Sequence, residues 1–278
     1  MSKSLESSEE KFLNVADAIP ALKGDGWRAT VKNGLEKVLG IQRIRKLFSQ
    51  AAKSENMDVT DRILQMLNIT VDAQGVLDAI PAKGGAIVIA NHPFGGADAI
   101  SLCSLCNEKR KELADAKVLA NSVVYHAPKF DKFLLPLKIL NEPGATRHNL
   151  LTLKQAATHV RNGGLLGVFP AGAVSRFRKD LGGIVTDAEW SEHIARIALK
   201  TKAPVIPIRY FGKNPAWYDI AGSIAPIVRA ALIPQVLLST TGKTIRCRAG
   251  EIVSYEELAK AENPTEYLRN KVYSIELP

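Results

Sequence analysis

Two residues with the chemistry of a proton relay stand close together in the stretch Ala90-Asn91-His92-Pro93-Phe94-Gly95-Gly96-Ala97-Asp98. An imidazole accepts a proton near neutral pH, and a carboxylate beside it fixes the tautomer and favours the imidazolium that forms. His92 and Asp98 therefore read as a general base and its orienting carboxylate, with five residues between them. The same spacing suits an ordinary surface loop, so the elements around it must decide.

A base of this kind needs a rigid support. The apolar run Ala86-Ile87-Val88-Ile89-Ala90 has the composition of a buried strand, which puts His92 just beyond a strand end. A second junction of the same kind lies downstream. There Leu165-Leu166-Gly167-Val168-Phe169 is followed by Pro170-Ala171-Gly172-Ala173-Val174-Ser175, and then by the basic residues Arg176, Arg178 and Lys179. Residues 117–120, 204–208 and 244–248 read as further strands. Helical spacing appears at Leu150, Leu153, Ala157 and Val160, and again at Trp190, Ile194 and Ile197. Strands alternating with helices predict an α/β fold, a central mixed sheet flanked by helices.

Asn91-His92 with Asp98, Phe169-Pro170-x-Gly172 and Ala203-Pro204-Val205-Ile206-Pro207-Ile208 resemble, in order and spacing, three blocks of the glycerolipid acyltransferases. That superfamily includes the acylglycerol-phosphate acyltransferases. The likeness is to a bacterial branch labelled hemolysin-like, or lysophospholipid acyltransferase of aminolipid synthesis. It runs over roughly residues 80 to 275, including Tyr267-Leu268-Arg269.

The resemblance implies transfer of a fatty acyl group from an acyl thioester, on acyl carrier protein or coenzyme A, to the hydroxyl of a lysolipid. It implies no metal and no bound cofactor. His92 would be the base and Asp98 its partner. Arg147, in Gly144-Ala145-Thr146-Arg147, would clamp an anionic group of the acceptor, and Gly172, Ser175, Arg176 and Arg178 would line the substrate site. Two departures stand out. The superfamily usually spaces His and Asp by four residues, and it usually has Glu and Thr where this chain has Ala171 and Ala173. Losing both side-chain hydrogen-bonding groups points to an acceptor other than glycerol phosphate, such as an aminolipid. Domain organisation follows as a basic amphipathic helical region over 1–80 and the acyltransferase domain over 81–278.

Net charge is +9 in 278 residues, which favours anionic partners. Lys23, Arg28, Lys32, Lys37, Arg43, Arg45 and Lys46 stand against Asp25 and Glu36. In the same region Trp27, Val31, Leu35, Val38, Ile41, Ile44 and Phe48 form one apolar stripe, interrupted by Gly34 and Gly40. That pattern fits an interfacial helix on anionic lipid, with Arg43, Arg45 and Lys46 toward the headgroups, and equally a helix docked on the main fold. Residues 1–22 are weakly patterned and read as mobile. Residues 220–238 form the longest apolar stretch, but Pro226, Arg229 and Pro234 interrupt it, so it reads as core with partial exposure rather than a membrane span.

Cys103 and Cys106 read as core residues of a helix, since no second pair or nearby histidine offers metal-ligand spacing. His126, His148, His159 and His193 are scattered without a carboxylate at such spacing. Met1 to Lys11 is polar and carries no leader pattern, which with only three cysteines suggests a cytoplasmic protein peripheral to the inner face of the membrane. Aromatic residues make up 6%, and no interleaved basic and aromatic platform for nucleic acid is present. Two alternatives stay open: an acyltransferase acting on an amine or non-lipid hydroxyl, and a basic membrane-binding protein without turnover.

Overall fold

The protein is described by a computed structural model covering residues 12–138, 142–222 and 226–277; the leaderless reading of residues 1–11 falls outside them. Among the described residues nine strands form two sheets: β1 (Thr70–Asp72), β2 (Ala86–Ala90), β3 (Ala116–Asn121), β4 (Leu134–Leu137), β5 (Leu165–Val168), β6 (Arg176–Arg178), β7 (Ile184–Thr186), β8 (Val205–Phe211) and β9 (Thr244–Ala249). The main sheet has the order β1-β9-β8-β2-β5-β3-β4. All neighbours run parallel except β8 and β9, so the fold is α/β with a mixed central sheet, the class expected. β6 and β7 form a separate antiparallel hairpin.

Parallel strands need both faces covered, and the side-chain period of two sends alternate residues to each. Along β2, Ala86, Val88 and Ala90 face one layer while Ile87 and Ile89 face the other. Among the described residues the α-helices of six or more residues, in chain order, are α1 (Trp27–Val38), α2 (Ile41–Ala52), α3 (Val59–Met66), α4 (Ala97–Lys109), α5 (Ala145–Arg161), α6 (Glu192–Thr201), α7 (Ala216–Gly222), α8 (Pro226–Ala231), α9 (Ile233–Ser239) and α10 (Pro264–Tyr273). Ile44 and Phe48 of α2, Ile63 of α3, Ile100 of α4 and Leu237 of α9 pack on the first face. Val160 of α5, Ile197 of α6 and Val272 of α10 pack on the second. Cys103 and Cys106 are buried free thiols in α4; burial raises the Cys106 pKa to about 12.

The stripe expected to run from Trp27 to Phe48 is broken in two. Gly40 adopts φ 73°, a left-handed conformation that turns the chain between α1 and α2. Ile41, Ile44 and Phe48 enter the core, while Trp27 and Val38 are 69% and 71% exposed. Arg45 does not face solvent with its neighbours. It pairs with buried Glu36 at 2.7 Å and donates to the Phe12 and Leu13 carbonyls at 2.9 and 2.6 Å. The segment before α1 is likewise packed from Phe12 onward: Phe12 lies against Phe48 at 5.1 Å, and Val15 and Leu22 are buried, contrary to the reading of 1–22 as mobile. Residues 220–238 are divided among α7, α8 and α9 rather than forming one helix, because the prolines interrupt it.

Arg110, buried at the end of α4, fixes the far edge of the sheet. Its guanidinium donates to the Pro81, Gly84 and Gly163 carbonyls and pairs with Asp115 at 3.0 Å. These groups lie on the segments entering β2, β3 and β5, so one side chain holds three parallel strands in register. Arg110→Ala leaves several buried acceptors and a carboxylate without their donor. It should destabilise the fold by about 3–5 kcal/mol, read as a lower denaturant midpoint at an unchanged slope.

Candidate active site

β8, β2 and β5 are adjacent and parallel, so the segments leaving their C-terminal ends meet at one edge. Asn91 locks the first of these to β8. Its amide donates to the Tyr210 carbonyl at 2.9 Å and accepts from the Tyr210 N–H at 2.7 Å, extending the ladder with a side chain. His92 follows, 14% exposed, its ring stacked on Phe169 at 4.0 Å. The sequence blocks around His92 and Phe169 thus meet face to face.

His92 Nδ1 lies 3.1 Å from Asp98 Oδ2, at ion-pair distance but off the hydrogen-bond line. Catalytic pairs of this sort commonly tighten only once substrate is bound. Asp98 is fully buried in the first turn of α4, where a helix N-terminus favours negative charge. It also accepts from the Phe94 N–H at 2.8 Å and the Ala99 N–H at 2.9 Å. The residue in excess of the usual spacing is absorbed at Gly95, whose φ of 79° bends the loop. A side chain at Gly95 would collide with Val174, so the two loops touch.

A second carboxylate, which the sequence reading missed, completes the site. Asp187 is buried just beyond β7. It accepts from the His92 N–H at 3.1 Å, the Trp190 indole at 2.9 Å and the Ser175 hydroxyl. Its own N–H donates to the Tyr273 hydroxyl at 2.9 Å. No local pattern announces Asp187, because its partner His92 is 95 residues away; Asp187-x-x-Trp190 before α6 is the only nearby cue. Ser175 has all three of its polar groups engaged. Its N–H donates to the His92 carbonyl at 2.8 Å, its hydroxyl to Asp187, and its carbonyl accepts from Arg229. Arg229 also lies over the Tyr218 ring at 4.8 Å and within 3.6 Å of Asp219.

The other candidates are distributed around this centre. The Gly172 N–H donates to the Phe169 carbonyl at 3.0 Å, and its φ of 63° requires glycine while leaving open space beside it. Arg176 is exposed at the root of the hairpin, and Arg178 is bound to Asp180. That pairing depresses the Asp180 carboxyl to about 2. Arg147 is exposed in the first turn of α5, on the helix that follows β4. β4, the strand that precedes this helix, is three strands, about 14 Å, from β2, the strand that carries His92. His148 and His159 are satisfied by carbonyls, those of Pro136 at 3.2 Å and Asp115 at 2.8 Å.

Burial pulls the His92 imidazole toward its neutral form, but the Asp98 carboxylate beside Nδ1 and the charge of Asp187 outweigh that pull. Its pKa is raised above the ordinary 6.5. With Nδ1 turned to Asp98, Nε2 is the nitrogen left to take a proton from a substrate. Because the folded value is raised, this pairing stabilises the fold below pH 6.5 and the contribution is lost as pH rises through the folded value.

The fold sets an imidazole–carboxylate pair at the open ends of parallel strands, and the sequence comparisons give the chain's family. The chain belongs to the acyltransferase family, whose sequence model matches residues 28–277. This sets it within the glycerolipid acyltransferase superfamily that its ordered blocks resemble. It is similar to the lyso-glycine lipid O-acyltransferases of Bacteroides thetaiotaomicron and Phocaeicola vulgatus. They are 20% and 19% identical to it, over 87% of this chain and 88% and 86% of theirs. Among solved structures it is similar to the 1-acyl-sn-glycerophosphate acyltransferase PlsC of Thermotoga maritima, with 15% identity, 86% and 89% coverage of the two chains and a TM-score of 0.43.

Asp187→Asn removes one of the two charges that hold the imidazolium and offers an amide donor to the Trp190 indole. The acid limb of the pH–rate profile should move to lower pH, and turnover should fall about 10- to 100-fold at constant fold. A thermal melt taken beside the profile checks that the fold is kept.

Proposed function

We propose that this protein transfers a fatty acyl group from an acyl thioester, on acyl carrier protein or coenzyme A, to a hydroxyl of a lyso-aminolipid. The observation that carries the reading is the buried His92–Asp98 pair at the open ends of three parallel strands, in a chain of the acyltransferase family. The acceptor hydroxyl gives its proton to His92 Nε2 as its oxygen attacks the thioester carbonyl. Collapse of the tetrahedral intermediate breaks the C–S bond, and the imidazolium returns the proton to the departing thiolate. Phe169 braces the imidazole, and Gly172 keeps the approach beside it clear. No bound cofactor enters this scheme.

Ala171 and Ala173 support an acceptor other than lysophosphatidic acid, and so do the lyso-glycine lipid names of the relatives. Arg176 and Arg147 are the exposed cations proposed to meet its anionic end, while Arg178 and Ser175 shape the loop through Asp180 and Asp187. We assign the membrane contact of this peripheral enzyme, proposed for the inner face of a cell membrane, to α1. Its Trp27, Val31, Leu35 and Val38 are exposed beside Arg28 and Lys37. Among the described residues no helix is long and apolar enough to cross a membrane.

Two measurements test the reading. Purified protein offered both thioester donors and a panel of lysolipids should yield a diacyl product from a lyso-aminolipid, read by mass spectrometry. His92→Ala should reduce it by about 10²- to 10⁴-fold. A product from lysophosphatidic acid alone would overturn the acceptor assignment, and no product from any pair would overturn acyl transfer to lysolipids. Trp27→Asp with Val31→Asp should weaken sedimentation with anionic vesicles about tenfold or more, since two apolar side chains leave the acyl boundary. Arg45→Glu should instead unfold the N-terminal region, because it breaks the Glu36 pair.

A further inference from the structure

The hairpin β6–β7 is rooted in the active site at both ends, by Ser175 before it and Asp187 after it. Beyond those roots it is bare. Phe177, Leu181 and Ile184 are 50%, 48% and 51% exposed, around a turn made by Gly182 and Gly183 at φ 80° and 78°. Two strands without a covered face are marginal in water. The register pairs Phe177 with Val185 and Arg178 with Ile184, so Phe177 and Ile184 point to opposite faces of the ribbon.

A second bare element stands on the other side of His92. α7 follows β8 and exposes Trp217 at 42% and Ile220 at 70%. β8 and β5, the strands that lead to the two elements, flank the His92-bearing β2 about 10 Å apart, and Arg229 links their roots by gripping the Ser175 carbonyl while lying over Tyr218. Exposed cations accompany both: Arg176 and Lys179 on the hairpin, and Lys213 before α7. Arg178 is neutralised by Asp180.

We infer that the β6–β7 hairpin and α7 form a two-pronged rim that seats the catalytic edge on an anionic bilayer. Phe177, Leu181, Ile184, Trp217 and Ile220 enter the acyl boundary, and Arg176, Lys179 and Lys213 lie at headgroup level. The inference rests on the lipid-substrate reading above and extends the contact beyond α1. A protein partner would cover one face of the ribbon; apolar side chains on both faces suit a fluid medium that closes around a finger. Seated in this way, His92 opens toward the surface from which a lysolipid arrives, and the hairpin reports contact with that surface directly to Ser175 and Asp187.

The test uses the full chain with vesicles of phosphatidylcholine, with and without phosphatidylglycerol. It compares wild type with the triple variant Phe177→Asp, Leu181→Asp, Ile184→Asp and the double variant Trp217→Asp, Ile220→Asp, each with a thermal melt. Both variants should bind anionic vesicles at least tenfold more weakly, yet turn over a short-chain, monodisperse acceptor within twofold of wild type. In a Trp27→Phe background, brominated lipid should quench Trp217 while buried Trp190 stays bright. Should the triple variant fail to fold, Leu181→Ser at the turn should still weaken vesicle binding about threefold. Unchanged vesicle affinity, loss of the monodisperse reaction, or loss of binding to acyl carrier protein with vesicle binding intact would each overturn the rim. Wild type that binds vesicles through these residues but acylates no lysolipid would leave the rim standing and overturn the acyl-transfer reading.

Discussion

A largely buried imidazole proposed as a base must be kept basic, and that constraint organises the structure around His92. Burial alone would strip its proton and weaken it as a base. The fold answers with two carboxylates, Asp98 from the first turn of α4 beside the ring and Asp187 from the end of β7 at the His92 backbone N–H. Each of these is itself buried and would be costly without partners. Asp98 takes two backbone N–H groups, and Asp187 takes a backbone N–H, an indole and a hydroxyl. The charge near His92 is therefore held by fixed donors rather than by water, which suits a site that must stabilise an imidazolium as it forms.

The strands supply the geometry. Parallel β8, β2 and β5 bring three loops to one edge, and short polar links then set their relative positions. Asn91 ties the first loop to β8, and Ser175 ties the third loop to the first. Arg229 closes the remaining side by gripping the Ser175 carbonyl. At the opposite edge Arg110 holds the entries to β2, β3 and β5. Loops positioned this way carry function while the sheet carries stability, a division common to α/β enzymes.

What was legible in the sequence was local. The all-apolar run 86–90, the His92 and Asp98 that follow it, and the turn at Phe169 to Gly172 each lie within a few residues, and the mixed α/β sheet follows from their alternation. What could not be read was pairing across the chain. Asp187 meets His92 over 95 residues and Asn91 meets Tyr210 over 119. Composition likewise could not separate the two halves of the Trp27 to Phe48 stripe. Both have helical spacing, and only the left-handed turn at Gly40 sends one half into the core and leaves the other in solvent. Arg45 looked like any basic residue of that region, yet its partner Glu36 and the carbonyls of Phe12 and Leu13 make it structural. A polar residue such as Ser175 in a turn reads as available for substrate until the fold shows each of its groups already engaged.

The most direct measurement is titration of the His92 ring itself, by NMR of protein carrying labelled histidine, in wild type and in Asp98→Asn. Two buried carboxylates lie close to His92, so the account predicts a resonance that titrates above 6.5 and moves downward in the variant. A His92 that titrates at or below 6.5, or that ignores the loss of Asp98, would contradict the claim that buried carboxylates keep this imidazole basic.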